Sequence, residues 1–151
     1  MKYRGQEGFS LVELLVTIGI IAVVAAIAIP QLQSYATNSR LKSAARDVMG
    51  DIFLYKERAI AENRQYRITF NIGGNTYTIE QPPGTIIQTK TPTTFGNDIR
   101  ISNVGTTETV YTFQTRGTVN AGTVVLINDR GSTATITTNI TGRTSVQFNL
   151  Q

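Results

Sequence analysis

Hydrophobic and polar positions divide this chain into three unlike stretches. From Phe9 to Ile29 the residues are apolar, with only Ser10, Glu13, Thr17 and Gly19 interrupting. A helix over that run, rising ~1.5 Å per residue, is roughly 30 Å long and matches a bilayer hydrocarbon core. Pro30 follows and lacks a backbone N–H, so it predicts a kink or a local opening of the helix. Gly19 and Pro30 together give room for local stretching. Beyond Pro30 the pattern becomes amphipathic. Leu41, Ala45, Val48, Ile52, Tyr55 and Ala59 recur at spacings of four and three, which makes one stripe on a helix. Arg40, Lys42, Arg46, Asp47, Asp51, Lys56, Glu57 and Arg58 lie mostly off that stripe. The periodicity predicts one long helix from about Ser10 to Glu62, its second half laid on a sheet. Residues 30–39 form the one joint expected to flex.

After about residue 64 the period changes to two. Alternating runs predict strands at 65–71, 76–81, 86–89, 99–102, 110–114, 123–128, 134–138 and 145–150. Gly73-Gly74-Asn75 is a hairpin signal, and Gln81-Pro82-Pro83-Gly84 breaks the second strand. The many threonines suit strands rather than a disordered tail. The expected fold class is α+β: a long N-terminal helix, transmembrane in its first half and amphipathic in its second, on an antiparallel β head. Its segments are 1–8, a polar leader; 9–29, the apolar helix; 30–62, the amphipathic half; and 63–151, the β head.

Composition removes several classes of function. The 151 residues contain no cysteine and no histidine. Disulfides, thiol chemistry and Ser-His or Cys-His nucleophiles are therefore excluded. The net charge is +4, and mild basicity of that kind describes a solvated surface more readily than a nucleic-acid site. Asp98, Glu108 and Asp129 fall on loops, with nothing that fixes a carboxylate pair at a catalytic separation. Asn128-Asp129 is too small a set of oxygen ligands for calcium. Gly73-Gly74 is not followed by the Lys-Ser/Thr of a phosphate loop. The reading is therefore of a non-enzyme without metal or cofactor.

The start of the chain is the most informative part. Met1 to Gly8 is short and polar and carries Lys2 and Arg4, which place this end in the cytoplasm by the positive-inside rule. A secretory signal would have a shorter apolar core, followed by a cleavage site of small residues. A plain anchor gives no reason for Glu13, since an ionisable residue in an apolar span is costly and points to function. Gly8-Phe9-Ser10-Leu11-Val12-Glu13-Leu14, with the basic leader before it and the apolar run and Pro30 after it, resembles the processing motif of type IV prepilins and type II secretion pseudopilins. The resemblance implies that a membrane prepilin peptidase cuts between Gly8 and Phe9 and methylates the new Phe9 amine. Removing Lys2, Arg4 and Glu7 would leave a net charge of +3. An unpaired buried charge is expensive and a paired one less so. Glu13 is therefore expected to neutralise the Phe9 amine of a neighbouring subunit and to set the register between subunits. The competing reading has Glu13 reaching back to the cytoplasmic interface.

The rest of the chain narrows the resemblance. Glu57-Arg58-Ala59-Ile60-Ala61-Glu62-Asn63 closes the helix. Phe113-Gln114-Thr115-Arg116-Gly117-Thr118 precedes Gly122-Thr123-Val124-Val125-Leu126-Ile127-Asn128, and Thr141-Gly142-Arg143 leads into a last alternating strand. This ordered set is similar to the minor pseudopilin H and FimT/FimU minor pilin family. The family implies a low-copy subunit in the pseudopilus of a type II secretion system or, alternatively, in a type IV pilus. Its implied partners are the prepilin peptidase, other pilins or pseudopilins, an inner-membrane assembly platform and the membrane itself, with the head in the periplasm. DNA is the less favoured partner. DNA-binding relatives carry Gly-Arg-x-Arg, whereas here Ser145 replaces the second Arg of Gly142-Arg143-Thr144-Ser145. Arg116 and Arg130 would reinforce Arg143 only if the fold gathers their loops, because phosphate affinity grows with each cation.

Overall fold

A computed structural model describes residues 9–151. It contains one α-helix, α1 (Leu11–Ala61), followed by eight strands, with a short 3-10 turn at Pro92–Thr94. The chain falls into two compact units, one ending at Tyr35 and one spanning Ala36–Gln151.

In the first unit, Ser10 starts the helix: its Oγ accepts from Val12 N at 3.3 Å, and Leu14 N donates to Ser10 O at 3.1 Å. Helical hydrogen bonding continues past Pro30 without a break in α1, so the proline removes one donor and does not end the helix. Among residues 9–33 only Ala25 is even partly covered. The most apolar 18-residue window of α1 has a mean hydropathy of 2.8, and none of it is buried. This part of α1 is long and apolar enough to cross a membrane.

In the second unit the stripe is realised as the periodicity implies. Leu41, Ala45, Val48, Ile52, Tyr55 and Ala59 are all buried, and Ala44 joins them. The eight strands are β1 (Tyr66–Asn71), β2 (Thr76–Gln81), β3 (Thr85–Lys90), β4 (Arg100–Ser102), β5 (Val110–Phe113), β6 (Gly122–Ile127), β7 (Thr133–Thr138) and β8 (Thr144–Asn149). Each lies within a residue or two of its expected position. The sheet expected beneath the helix is divided in two, with orders β3-β2-β1-β5 and β4-β6-β7-β8, and every pairing is antiparallel. One core holds the stripe of α1 together with Ile68, Phe70, Tyr77 and Ile79 of the first sheet and Ile101, Val124, Leu126 and Ile136 of the second. Burying such a side chain contributes about 1.5–3 kcal/mol.

Three polar clusters tie the elements together. Asn75, in the β1–β2 turn, behaves like a short piece of strand: its Nδ2 donates to Ile99 O at 3.0 Å, and its Oδ1 accepts from Ile101 N at 2.8 Å. It thereby links a hairpin of one sheet to the first strand of the other. Asn38 of α1 does the same for the C-terminus. Its Nδ2 donates to Gln151 O at 3.1 Å, and its Oδ1 accepts from Ser132 Oγ at 2.8 Å. The third cluster is ionic. Lys90 Nζ, at the end of β3, lies 2.8 and 2.9 Å from the two oxygens of the buried Asp51 and 3.2 Å from Asp47. The Tyr77 hydroxyl donates to Asp51 at 2.7 Å. Burial disfavours the Lys90 ammonium, but its bonds to Asp51 and Asp47 outweigh that, and its pKa is raised. Burial, then the Asp51 hydrogen bond, pushes the Tyr77 hydroxyl up as well. Tyr111 is raised by burial and by the charge of Glu108.

All three shifts have the same sign. The folded head holds these protons more tightly than the unfolded chain does, so its stability is fully present below the ordinary Tyr and Lys range and falls as pH rises above about 10. Urea unfolding of the full chain in detergent from pH 8 to 11 should show that decline, and Tyr77→Phe should make it shallower. Two helix substitutions separate packing from propensity. Ile52→Ala, fully buried, should lose about 2–5 kcal/mol in the same assay. Gly50→Ala should gain about 0.5–1 kcal/mol, because a Cβ at Gly50 meets nothing within 4 Å.

Candidate functional site

The residues singled out by sequence lie in two separate places. At the start of the chain, Gly8 lies outside the described residues, and Phe9 is 86% exposed. Glu13 occupies the first turn of α1, where a carboxylate is favoured by the helix dipole. Ser10 and Glu13 stand at capping-box spacing, but Ser10 Oγ accepts from Val12 N rather than from Glu13 N, an ordinary N-cap bond. Thr17 Oγ1 donates to the Glu13 main-chain carbonyl at 2.6 Å. Among the described residues no ion pair includes Glu13. The start of the helix thus presents an exposed aromatic residue and, four residues on, a carboxylate with no ion pair among the described residues.

In the head, the fold gathers two of the three arginine loops. Arg116 lies between β5 and β6, in a turn closed by Gly117 N donating to Gln114 O at 2.8 Å. Arg143 follows Gly142 in the β7–β8 turn, where Asn139 Oδ1 accepts from Thr141 N and Arg143 N at 3.1 and 2.9 Å. The two turns meet through Val119 N donating to Ile140 O at 3.1 Å. Both rest on the last turns of α1. A Cβ on Gly117 would lie 2.8 Å from Ile60 Cδ1, and a Cβ on Gly142 would lie 2.6 Å from Lys56 Cδ. Both glycines also have left-handed backbones, with φ of +80° and +72°. Arg116 and Arg143 themselves are exposed.

Arg130 is not part of this group. It sits in the β6–β7 turn, beside the Ile127–Thr133 pair, whereas Arg143 adjoins the Thr138–Thr144 pair at the other end of the same sheet. Five strand steps of ~3.4 Å separate the two ends. Arg130 instead lines a polar pocket with Thr37, Arg40, Asn97, Asp98 and Asp129. Asp129 is paired with Arg100 at 3.1 Å, and Asn128 Oδ1 accepts from Arg130 N and Ser132 N, so that loop is held by its own polar groups. No group of three Asp or Glu among the described residues converges on a metal position.

Sequence reasoning did not single out Lys56, Phe53 or Gly50. With Met49 they face Thr141, Gly142, Arg143 and Thr144 across a groove of about 620 Å³. The available signal was an exposed aromatic one turn from a mid-helix glycine, off the buried stripe.

Residues 3–29 match the prokaryotic N-terminal methylation motif. A fimbrial protein of Pseudomonas aeruginosa is 37% identical over 62 residues, which cover 41% of this chain and 40% of that protein's length. The chain resembles in fold the minor pseudopilin EpsH of the Vibrio cholerae type 2 secretion system, with a TM-score of 0.56 and 12% identity over 72% of this chain and 96% of that one. It also resembles the type IV minor pilin FimU of P. aeruginosa, with a TM-score of 0.59 and 14% identity over 75% and 92% of the two chains.

The Gly142-Arg143 pair therefore divides into a structural half and a surface half. Gly142→Ala should destabilise the head by about 1–3 kcal/mol, through its positive φ and the Lys56 stem beneath it. Arg143→Ala should stay within about 0.5 kcal/mol of the parent in urea unfolding. The long helix thus opens on a matched N-terminal methylation motif, and the chain has the fold of the minor pseudopilin EpsH and the minor pilin FimU.

Proposed function

We propose that this chain is a minor pseudopilin, a structural subunit of the periplasmic pseudopilus of a type II secretion system. One observation carries the reading. An apolar helical segment, none of whose residues 9–33 is buried among the described residues, begins directly after Gly8-Phe9, inside a matched methylation motif. Such a segment needs an apolar environment, first the inner membrane and then the packed helices of a filament. On this reading residues 1–8 are the leader, 9–29 the membrane and filament-core helix, 30–62 the amphipathic half and 63–151 the periplasmic head. Prepilin peptidase cuts between Gly8 and Phe9 and methylates the Phe9 amine. Glu13 accepts the Phe9 amine of the neighbouring subunit, which neutralises two charges that would each be expensive alone in an apolar setting. The role is architectural, with no catalytic residue.

The alternative reading is a minor pilin of a type IV pilus. Its support is the 62-residue match to a fimbrial protein and the FimU-like head. DNA binding would belong to this alternative and would rest on Arg116 and Arg143, without Arg130.

A clean deletion strain separates the two machines. Loss of extracellular enzyme release with normal surface pili supports the pseudopilin. Loss of pili, or of DNA uptake, with normal release supports the pilus. In either machine Glu13→Ala should be processed at Gly8 as the parent is, yet enter filaments poorly. Normal incorporation of that variant would remove Glu13 from the assembly contact.

A further inference from the structure

The groove between α1 and the β7–β8 turn has no part in membrane anchoring or in the Phe9–Glu13 contact. Its floor is Met49, Gly50 and Phe53, and Lys56 and Arg143 stand at its rim. Three observations point outward from it. A Cβ on Gly50 would meet nothing within 4 Å, so no internal packing asks for the glycine, although glycine weakens a helix interior. Phe53 beside it is 61% exposed, and Ile60, two turns on, is 44% exposed. The charge around the groove is one-sided. Lys56 and Arg143 line it, exposed Arg46 lies one turn before Gly50, and Arg116 sits on the loop packed against the Arg143 turn. Against them stands Glu57, 3.8 Å from Lys56.

We infer that this groove seats an apolar side chain flanked by carboxylates, presented by a different pilin-like chain of the same filament. The inference rests on the filament reading given above. Gly50 lets a neighbour approach the helix backbone closely, Phe53 supplies an aromatic anchor, and the cations select an acidic partner. A second copy of this chain fits poorly. Its exposed apolar residues Ile86, Ile87, Val104 and Ile140 lie in segments 85–89, 102–106 and 139–141, none of which contains Asp or Glu. Leu54 and Ile60 have Glu57 and Glu62 near them but stand among Lys56 and Arg58, which would meet the groove's cations with like charge, and Val12 and Leu14, beside Glu13, belong to the apolar membrane-length segment. A nucleic acid fits poorly as well, because the floor between the cations offers aliphatic and aromatic side chains rather than donors for phosphate.

The test is site-specific photocrosslinking of the full-length chain in the cells that make it. Benzoylphenylalanine replaces Phe53 in one strain and Leu15, in the apolar helix, in a second, and mass spectrometry maps the adducts. At position 53 the expected adduct joins a pilin-like chain of another sequence, at an apolar residue with Asp or Glu beside it. Arg143→Glu with Arg116→Glu, both at exposed positions, should reduce that adduct about tenfold while the Leu15 adducts persist. Gly50→Leu should do the same by filling the floor. Reversing the partner's carboxylates to lysine should restore the adduct with the double-Glu chain. Adducts at position 53 to a second copy, to nucleic acid or to lipid, or none at all, would overturn the inference if Leu15 still crosslinks to pilin-like chains. Absence of pilin-like adducts at both positions would instead sink the filament reading, and this inference with it.

Discussion

Seven apolar side chains on one face of α1, from Leu41 to Ala59, hold the head together, because both sheets close on them. Without that stripe neither four-stranded sheet has a partner for its apolar face, and a sheet must bury that face somewhere. The same helix meets a different demand in its first unit. There, no residue among 9–33 is buried, though the segment is the most apolar in the chain. One element therefore carries two kinds of unfinished surface, and only the second is satisfied within the molecule. Among the described residues nothing buries the first.

Sharing one helix between two sheets creates a second problem, which polar side chains solve. Apolar contact is non-directional and cannot fix where one sheet stops and the other begins. Asn75 does this by standing in for a strand at Ile99 and Ile101, and Asn38 by joining the helix to Ser132 and the C-terminal carbonyl. The Asp47–Asp51–Tyr77–Lys90 cluster anchors β3, an edge strand whose residues from Thr85 to Thr89 are otherwise exposed. A paired, hydrogen-bonded buried charge is tolerable, whereas losing one partner would leave Asp51 uncompensated. These ties give the two-sheet arrangement its specificity, while the apolar stripe gives it most of its stability.

The sequence makes the local structure legible and leaves the long-range structure hidden. The helix and all eight strands are readable because period 3.6 and period 2 are local properties, visible within a window of a few residues. The processing motif is legible for the same reason: its elements are contiguous. The division into two sheets is not readable, since strand order depends on pairings such as β1 with β5, which skip three strands. The roles of Asn75 and Asn38 are hidden too, because their partners lie 24 to 113 residues away. Gathering Arg116 with Arg143 and sending Arg130 to the opposite end follows from register in the β6-β7-β8 sheet, which no local pattern encodes.

Glycine shows how far that limit extends. Gly50, Gly117 and Gly142 are equivalent as letters, and the resemblance that drew attention to Gly142-Arg143 gave no reason for the glycine. In the fold, Gly117 and Gly142 have left-handed backbones and sit where Ile60 and Lys56 leave no room for a Cβ. Their demand is internal, and it explains why Arg143 is held in place whether or not it has a ligand. Gly50 has an ordinary helical backbone and open space over it. Sterics inside the chain account for two of the three, and at Gly50 no described residue asks for a glycine. That asymmetry, together with the exposed Phe53 beside Gly50, distinguishes a surface shaped for the fold from one shaped for a neighbour.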